Sequence, residues 1–231
     1  INLKLVLQLS RRTKGEKTMK KALLATIMAF LVSSVSYADE LRLEASASAK
    51  LGGNTVSVEE QTRHDLSISG DMVTKAAAYQ HTVVAVSRDL SDNIGLSLRV
   101  RNTSTNGTSE NRLSLDMNAK AGLPLGIGLT NRLRFQIDEN SDITAITADD
   151  LRLREEVRLT KTVNLPFVSL DVSVGDEVHI SSEGKIKENR ISAAVANEVC
   201  PGLTARAEYF RQQMTDADDA NVVFVSAALR F

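Results

Sequence analysis

The sequence has 231 residues, of which 25% are charged, and its formal net charge is −1 at pH 7. This balance excludes a general electrostatic attraction to nucleic acid, so we expect no nucleic-acid partner. The one cysteine, Cys200, excludes an internal disulfide, and we expect it to pack near a turn.

Residues 19–38 have the three parts of a secretory signal peptide. Two lysines precede an apolar run over 22–35, and a small-x-small cleavage motif ends at Ala38. The apolar run is shorter than a spanning helix requires, and a membrane anchor is the alternative interpretation. We expect export, cleavage after Ala38 and a mature chain that begins at Asp39.

Residues 1–18 stand ahead of this complete signal peptide and resemble translated upstream DNA. The codons for residues 15–17 can form a purine-rich, ribosome-binding-like stretch just before Met19. A genuine N-terminal extension is the alternative, but it would place a basic segment before a complete leader. We therefore expect residues 1–18 to lie outside the fold and residues 39–231 to form one domain.

From Asp39 onward, apolar and polar residues alternate with the period of two that predicts β-strands. The predicted strands cover 41–50, 55–68, 79–88, 94–101, 111–120, 127–138, 151–160, 167–175, 188–198, 203–212 and 222–231. Each has about the ten residues that a tilted strand needs to cross a bilayer. The chain therefore belongs to the all-β class.

The breaks between the predicted strands alternate in length. Short turns fall at 52–54, 91–93, 122–124, 163–165 and 201–202, and longer polar connections at 70–75, 102–110, 139–149, 181–187 and 214–221. This layout is typical of an up-and-down barrel with short periplasmic turns and longer outer loops. Bacterial single-chain barrels have an even number of strands, so we expect ten to twelve, with 79–88 or the hairpin 41–68 misread or one strand missed.

Alternation alone does not decide which face of these strands points inward. In a soluble barrel the apolar face fills the interior, whereas in a membrane barrel it meets lipid. A soluble periplasmic lipocalin-like binding barrel is therefore the alternative to a membrane barrel. The aromatic content of 4% argues against the girdles of rings that membrane barrels usually carry.

The last strand favours the membrane barrel. Small or apolar residues occupy every second position up to a terminal aromatic: Val223, Val225, Ala227, Leu229 and Phe231. This pattern resembles the signal that the outer-membrane assembly machinery reads, and a strand in lipid must be paired on both edges. We predict a closed antiparallel up-and-down transmembrane β-barrel in the bacterial outer membrane, with its lipid and its assembly machinery as partners.

The polar face of the predicted strands is rich in arginine. The predicted lumen-lining residues are Arg42, Arg99, Arg112, Arg132, Arg134, Arg152, Arg154, Glu156, Arg158, Asp171, Arg190, Arg206, Glu208 and Arg230, with Arg101, Lys50, Lys120, Glu44 and Asp116 on the same face. One interpretation is a positively biased lumen that passes small anionic solutes, as rings of Arg and Lys do in anion pores. The other is an arginine–carboxylate network that neutralises itself, because buried charges need partners.

An outer-membrane enzyme is a third interpretation, which the histidines do not favour. His64, His81 and His179 come with no nucleophile motif and have no metal-ligand spacing. The acidic loop at 216–219 lacks the glycine and the final glutamate of a calcium loop. We expect no enzymatic activity, no metal and no cofactor, and we interpret His64 and His179 as polar residues of the barrel rim.

The order of several short motifs resembles an outer-membrane family, the domain of unknown function 2490. The motifs are VSVEEQTRHD (56–65), LTNRLRFQID (129–138), LRLREEVRLT (151–160), LPFVSLDVSV (165–174), ENRISAAVANEV (188–199) and LTARAEYFRQQ (203–213). The resemblance implies an outer-membrane barrel without an established activity. Asp171 stands where members often have Glu. A second resemblance, in length and in an arginine-lined lumen, is to small monomeric porins for acidic oligosaccharides.

Overall fold

The computed structural model describes residues 38–69, 71–74, 79–105, 108–139, 151–166 and 168–231. The predicted leader before Ala38 and most of the predicted connection at 139–149 lie outside these residues. The described helical structure is one short 3-10 turn at Pro124–Gly126. None of the helices in the described ranges has the length and apolar character of a membrane span.

Twelve strands form one sheet within the described ranges. They are β1 (Glu40–Leu51), β2 (Asn54–Ser69), β3 (Asp71–Thr74), β4 (Tyr79–Asp89), β5 (Ile94–Thr105), β6 (Thr108–Leu123), β7 (Ile127–Glu139), β8 (Leu151–Leu165), β9 (Val168–Ser181), β10 (Ile186–Cys200), β11 (Leu203–Met214) and β12 (Ala220–Arg230). Strands that are consecutive along the chain pair with each other, except that β4 pairs with β2 instead of β3, and β1 also pairs with β12. The all-β, up-and-down closed barrel is therefore confirmed.

Eleven of the described strands form the closed ring, because β3 pairs with the far end of β2 and stands outside it. All eleven predicted segments are strands of this ring, including 79–88 and both strands of the first hairpin. The expectation of an even strand number, with a misread or missed strand, was wrong, although the predicted range of ten to twelve contains the observed eleven.

The ring closes at a parallel seam. β1 and β12 run in the same direction from Glu40↔Val222 to Ser48↔Arg230, whereas the other neighbouring strands of the described ring pair antiparallel. An up-and-down ring with an odd number of strands must join its first and last strands in this way. The prediction of a fully antiparallel barrel is therefore wrong at this seam.

Several strands extend beyond their predicted ends. The predicted connection at 102–110 is mostly strand, with β5 and β6 paired as far as Thr105↔Thr108. The amide of Asn102 donates across this hairpin to Ser109 Oγ at 2.7 Å and to Asn111 Oδ1 at 2.8 Å. Polar residues occupy both faces of this hairpin, so the sequence does not alternate there and its pattern indicates a loop instead of a strand.

The two faces of the barrel wall have opposite chemistry. Outward-facing aliphatic side chains are half exposed, with Val174 at 53% and Leu98 at 51%. Inward-facing polar side chains are buried, with Asp116 and Gln136 each at 2% exposure. The barrel therefore has a polar interior and an apolar exterior, the reverse of a soluble barrel.

The first and last strands hold each other at both ends. The amide of Asp39 donates to the Asn221 carbonyl at 2.8 Å, and Asn221 N donates to Asp39 Oδ2 at 2.7 Å. At the other end, the amide of Phe231 donates to the Ser48 carbonyl at 2.9 Å. The predicted cleavage site after Ala38 thus lies directly before the first strand, at the opposite end of the barrel from Phe231.

Candidate functional site: the charged lumen

The barrel encloses a cavity of about 810 Å³, lined by side chains from every strand of the described ring. The predicted lumen residues that line it are Arg42, Arg99, Arg112, Arg132, Arg134, Arg154, Glu156, Arg158, Arg190, Arg206 and Glu208. Successive side chains of a strand point to opposite faces, so the lumen-facing residues of neighbouring strands lie side by side on the inner wall.

Three predicted lumen residues do not line this cavity. Arg152 and Arg230 are exposed near the ends of β8 and β12. Asp171 is exposed near the short turn between β8 and β9, where it accepts a hydrogen bond from Thr162 Oγ1 at 2.7 Å. All three occupy lumen-facing positions of the alternating pattern. They lie near the ends of the barrel, because the strands extend beyond the cavity.

One side of the lumen is organised around Glu177, whose side chain is only 12% exposed. Its carboxylate lies 2.8 Å from Arg132 Nη2 and 3.2 Å from Arg190 Nη1. Arg154 Nη2 lies 3.5 Å from the same group. One carboxylate from β9 therefore compensates three guanidinium groups from β7, β8 and β10. The contacting residues are 13 to 45 positions apart in the sequence.

The network continues through two further carboxylates. Glu156 forms ion pairs with Arg132 and with Arg158, the latter at 2.6 Å. Arg158 Nη2 also lies 2.9 Å from Glu208, which accepts from Arg206 at 2.9 Å. Together with Glu188, which pairs with Arg190, these residues of β7–β11 form a continuous chain of alternating charge. We call it the ion-pair wall.

His179 lies inside this network, so its assignment to the rim was wrong. Its Nε2 lies 2.7 Å from Glu177 Oε1, and its Nδ1 lies 3.1 Å from Glu188 Oε2. Arg154 Nε lies 2.9 Å from the same Nε2. Among the described residues no group of three histidine, cysteine or acidic side chains is arranged to hold a metal ion. The geometry therefore assigns His179 to the hydrogen bonding of the wall.

The opposite side of the lumen, formed by β1, β2 and β4–β7, has separate ion pairs. Arg134 is paired in two-pronged fashion with Asp116, with both nitrogen–oxygen distances at 2.7 Å. Arg99 lies 3.0 Å from Glu59. On β1 and β2, Glu40 forms ion pairs with Arg42 and Arg63.

Arg101 lines the cavity on the same side of the lumen. Its closest positions across the lumen face are Val83 on β4 and Arg112 on β6. On β5 itself, Arg99 and Thr103 are its neighbours on the same face. No carboxylate of the described residues lies within ion-pair distance of Arg101, so its charge is compensated less than that of any arginine in the ion-pair wall.

Two rings and a hydroxyl flank Arg101 on the side of the long connections. His81 Nδ1 lies 2.7 Å from Thr103 Oγ1, and the rings of His81 and Tyr79 meet edge to face at 4.5 Å. Arg63 covers the Tyr79 ring at 4.8 Å and donates to its hydroxyl at 2.7 Å. We call Arg101, Arg112, His81 and Thr103 the Arg101 cluster.

Aromatic rings lie in the lumen as well as on the outer surface of the described barrel. Tyr79, Phe210 and Phe224 all line the cavity. Phe210 lies between the guanidinium groups of Arg42 and Arg190, at 5.1 and 5.4 Å from its ring centre. These cation–π contacts join the two sides of the lumen across β11.

Sequence reasoning missed several acidic residues of the lumen: Glu40, Glu59, Glu177 and Glu188. Glu177 was missed because the predicted strand ended at Gly175, whereas β9 continues to Ser181. Continuing the same alternation by two steps places Glu177 and His179 on the lumen face. Glu155, which the alternation places on the outer face, accepts a hydrogen bond from Asn131 Nδ2 at 3.0 Å.

Comparison with known proteins identifies the family. A search of curated protein sequences finds no match. Among solved structures, the β domain of the Bordetella autotransporter BrkA is similar, with a TM-score of 0.42 and 12% identity over 76% of this chain and 82% of that chain. The family model described as protein of unknown function (DUF2490) matches residues 41–223, which include all six motifs noted in the sequence. The chain therefore belongs to the DUF2490 family.

Proposed function

We propose that this protein is an outer-membrane β-barrel whose arginine-lined lumen admits small anionic solutes. The observation that carries the proposal is the combination of an apolar exterior with a cavity of about 810 Å³ lined by more arginines than carboxylates. The role is non-enzymatic, with membrane lipid outside the barrel and solute inside it.

The exterior supports the membrane location. Half-exposed Leu and Val side chains follow the outer face of successive strands, for example Leu98, Leu115 and Val174. A closed ring leaves no unpaired strand edge in lipid, where every unpaired backbone group costs several kcal/mol. A lipocalin-like soluble barrel would need an apolar interior, whereas this interior contains arginine and glutamate.

Heat-modifiability and fractionation test the membrane location. The full chain, expressed in a Gram-negative host, should pellet with the outer membrane and run as separate folded and unfolded bands in unboiled and boiled samples. Recovery in the soluble periplasmic fraction would contradict the proposal.

The lumen charge supports passage of anions over cations. Rings of Arg and Lys lower the barrier for anions in pores, provided that part of their charge is not neutralised by the protein. Arg101 supplies such charge, whereas the arginines of the ion-pair wall lie next to carboxylates. In planar bilayers under a KCl gradient, the purified protein should give a reversal potential that is displaced toward the equilibrium potential of chloride. A silent bilayer, or cation preference, would overturn the anion pathway.

The outer face of β12 supports an interaction with the outer-membrane assembly machinery. Val225, Ala227 and Leu229 lie on the face opposite the cavity-lining Phe224 and Ser226, and Phe231 is 79% exposed. Replacement of Phe231 by alanine should lower the fraction of the chain found as heat-modifiable barrel in the outer membrane. An equal fraction would contradict recognition at this position.

A further inference from the structure

We propose that solutes cross the barrel along its β4–β7 side, and that Lys120 and Asp89 determine charge selectivity where this path meets the short turn at 90–93. The inference deepens the proposed function and rests on it, because it names the route and the specificity-determining residues of the same passage.

The cavity follows β5 from one end of the strand to the other. Both the first residue of β5, Ile94, and its last residue, Thr105, line the cavity. On the opposite side of the barrel the lining residues come from the middle of the strands, as Arg190 and Ser192 of β10 do. A solute that crosses the barrel therefore has a continuous cavity beside β5.

Side-chain size explains why the cavity lies on this side. Short side chains occupy the lumen face of β4 and β5 at Val83, Ser87 and Gly95, all of which line the cavity. The arginines of the ion-pair wall are long, and their ion pairs hold them inside the lumen. Arg158, for example, donates to Ser173 Oγ at 3.3 Å and so covers part of β9. The wall therefore fills its own side of the lumen and leaves space along β4 and β5.

Two oppositely charged side chains lie where the cavity reaches the turn at 90–93, an end that we call the short-turn mouth. The amide of Lys120 donates to the Asn93 carbonyl at 2.9 Å, which places Lys120 beside the turn, and Lys120 lines the cavity. Asp89 also lines the cavity. Its Oδ1 would lie 3.3 Å from a Cβ at Gly95, so the carboxylate reaches over the lumen face of β5.

The charges of the short-turn mouth balance one another. Arg88 and Asp92 also line it, so two cations and two anions surround this end of the cavity. Loss of Lys120 would leave the mouth with a net negative charge, and loss of Asp89 would leave it with a net positive charge. Solvent ions screen such charges over about 10 Å at 0.1 M salt and about 3 Å at 1 M. The effect of each charge on ion selectivity should therefore be larger in dilute salt.

The test compares each mouth residue with a residue of the same charge at the same end of the barrel but on its opposite side. Arg230 and Asp171 are such controls, because both are exposed near the ends of their strands and lie outside the cavity. Full-length Lys120→Gln, Asp89→Asn, Arg230→Gln and Asp171→Asn are measured in planar bilayers under KCl gradients, near 0.1 M and near 1 M. Heat-modifiability verifies that each variant is folded.

We expect Lys120→Gln to lower the chloride-to-potassium permeability ratio about twofold near 0.1 M, and Asp89→Asn to raise it about twofold, the size of one charge acting through water. Both effects should shrink near 1 M, and the two controls should leave the ratio unchanged. Equal changes in the mouth variants and their controls would overturn the path, while anion selectivity of the wild type would still support the proposed function.

Cysteine labelling tests the path even if the bilayers are silent, an outcome that would refute the proposed function. Asn118 of β6 lines the cavity, whereas Ser173 on the lumen face of β9 is 5% exposed. In a Cys200→Ser background, Asn118→Cys should react with an anionic thiosulfonate at least about tenfold faster than Ser173→Cys, because a covered thiol is protected. Equal rates would overturn the inference.

Discussion

The two sides of the lumen use arginine differently. In the ion-pair wall, Arg132, Arg154, Arg158, Arg190 and Arg206 each have a carboxylate oxygen within 3.5 Å. In the Arg101 cluster, Arg101 faces Val83 and Arg112. The same residue type therefore neutralises carboxylates on one side and leaves positive charge available to a solute on the other. A count of lumen arginines does not distinguish these roles, whereas the register of neighbouring strands does.

The difference has an energetic consequence. A buried charge network contributes little net stability when complete, but loss of one partner leaves the others uncompensated at a cost of about 3–5 kcal/mol. An arginine without an acidic partner has no such dependence, and its removal relieves repulsion. The two sides should therefore respond in opposite directions to the loss of one charge.

Glu177→Gln should give the largest effect, because one carboxylate serves Arg132, Arg154 and Arg190. We expect the free energy of unfolding to fall by about 3 kcal/mol, measured by urea titration in detergent micelles. The control is Glu183→Gln, since Glu183 pairs with Lys185 at 2.6 Å on an exposed hairpin. There the loss should stay below about 1 kcal/mol. Similar losses in both variants would show that the wall is not a connected network.

Asp116→Asn should have the next largest effect on the free energy of unfolding, because it breaks the two-pronged pair between Asp116 and Arg134. We expect a loss of about 2 kcal/mol in unfolding free energy, since Asp116 is 2% exposed. Arg134 would then have lost its carboxylate partner, as Arg101 has none within ion-pair distance among the described residues. Its charge should shift the reversal potential further toward the equilibrium potential of chloride. Asp171→Asn, at the exposed rim, is the matched control and should change neither quantity. A stable variant with unchanged selectivity would refute this account of the pair.

Gly175→Ala tests how tightly the ion-pair wall is packed. A Cβ at Gly175 would lie 3.0 Å from Ser192 Oγ and 3.5 Å from Arg158 Cζ. We expect a loss of about 1 kcal/mol, as for other overpacked sites, measured by the same urea titration. At Gly95 the nearest atom is the Asp89 carboxylate at 3.3 Å, an exposed side chain that can move, so Gly95→Ala should be neutral within about 0.5 kcal/mol. The reverse order would show that the wall accommodates extra volume.

The strands themselves were predictable because their pattern is local. Alternation with a period of two fixes which residues share a face, and it located all eleven ring strands. It failed at 102–110, where polar residues occupy both faces of the β5–β6 hairpin. The predicted strand also ended at residue 175, whereas β9 ends at Ser181, so the predicted lumen lacked Glu177 and His179.

The pairing of charges and the seam were not predictable in the same way. Arg132 and Glu177 are 45 residues apart, and their contact depends on the register of β7, β8 and β9 together. The parallel β1–β12 seam depends on the parity of the strand number, which the expectation of an even number concealed. The sequence therefore predicts that the lumen contains arginine, but not that Arg101 lies beyond ion-pair distance of the carboxylates in the described part of the chain.

Arg101→Gln should give the smallest change in stability and the opposite sign from Glu177→Gln. Removing one of two facing guanidinium groups relieves repulsion of about the size of an exposed like-charge pair, so the free energy of unfolding should rise by about 0.5 kcal/mol or stay unchanged. Arg154→Gln removes a charge of the same type from the ion-pair wall, where Glu177 and His179 contact it. That variant should lose about 2 kcal/mol, because the polar partners of Arg154 lose a donor while they stay buried. Urea titration of both proteins measures the difference directly. A loss in Arg101→Gln as large as in Arg154→Gln would mean that Arg101 has a structural role equal to that of the wall arginines, and the division between the two sides of the lumen would no longer hold.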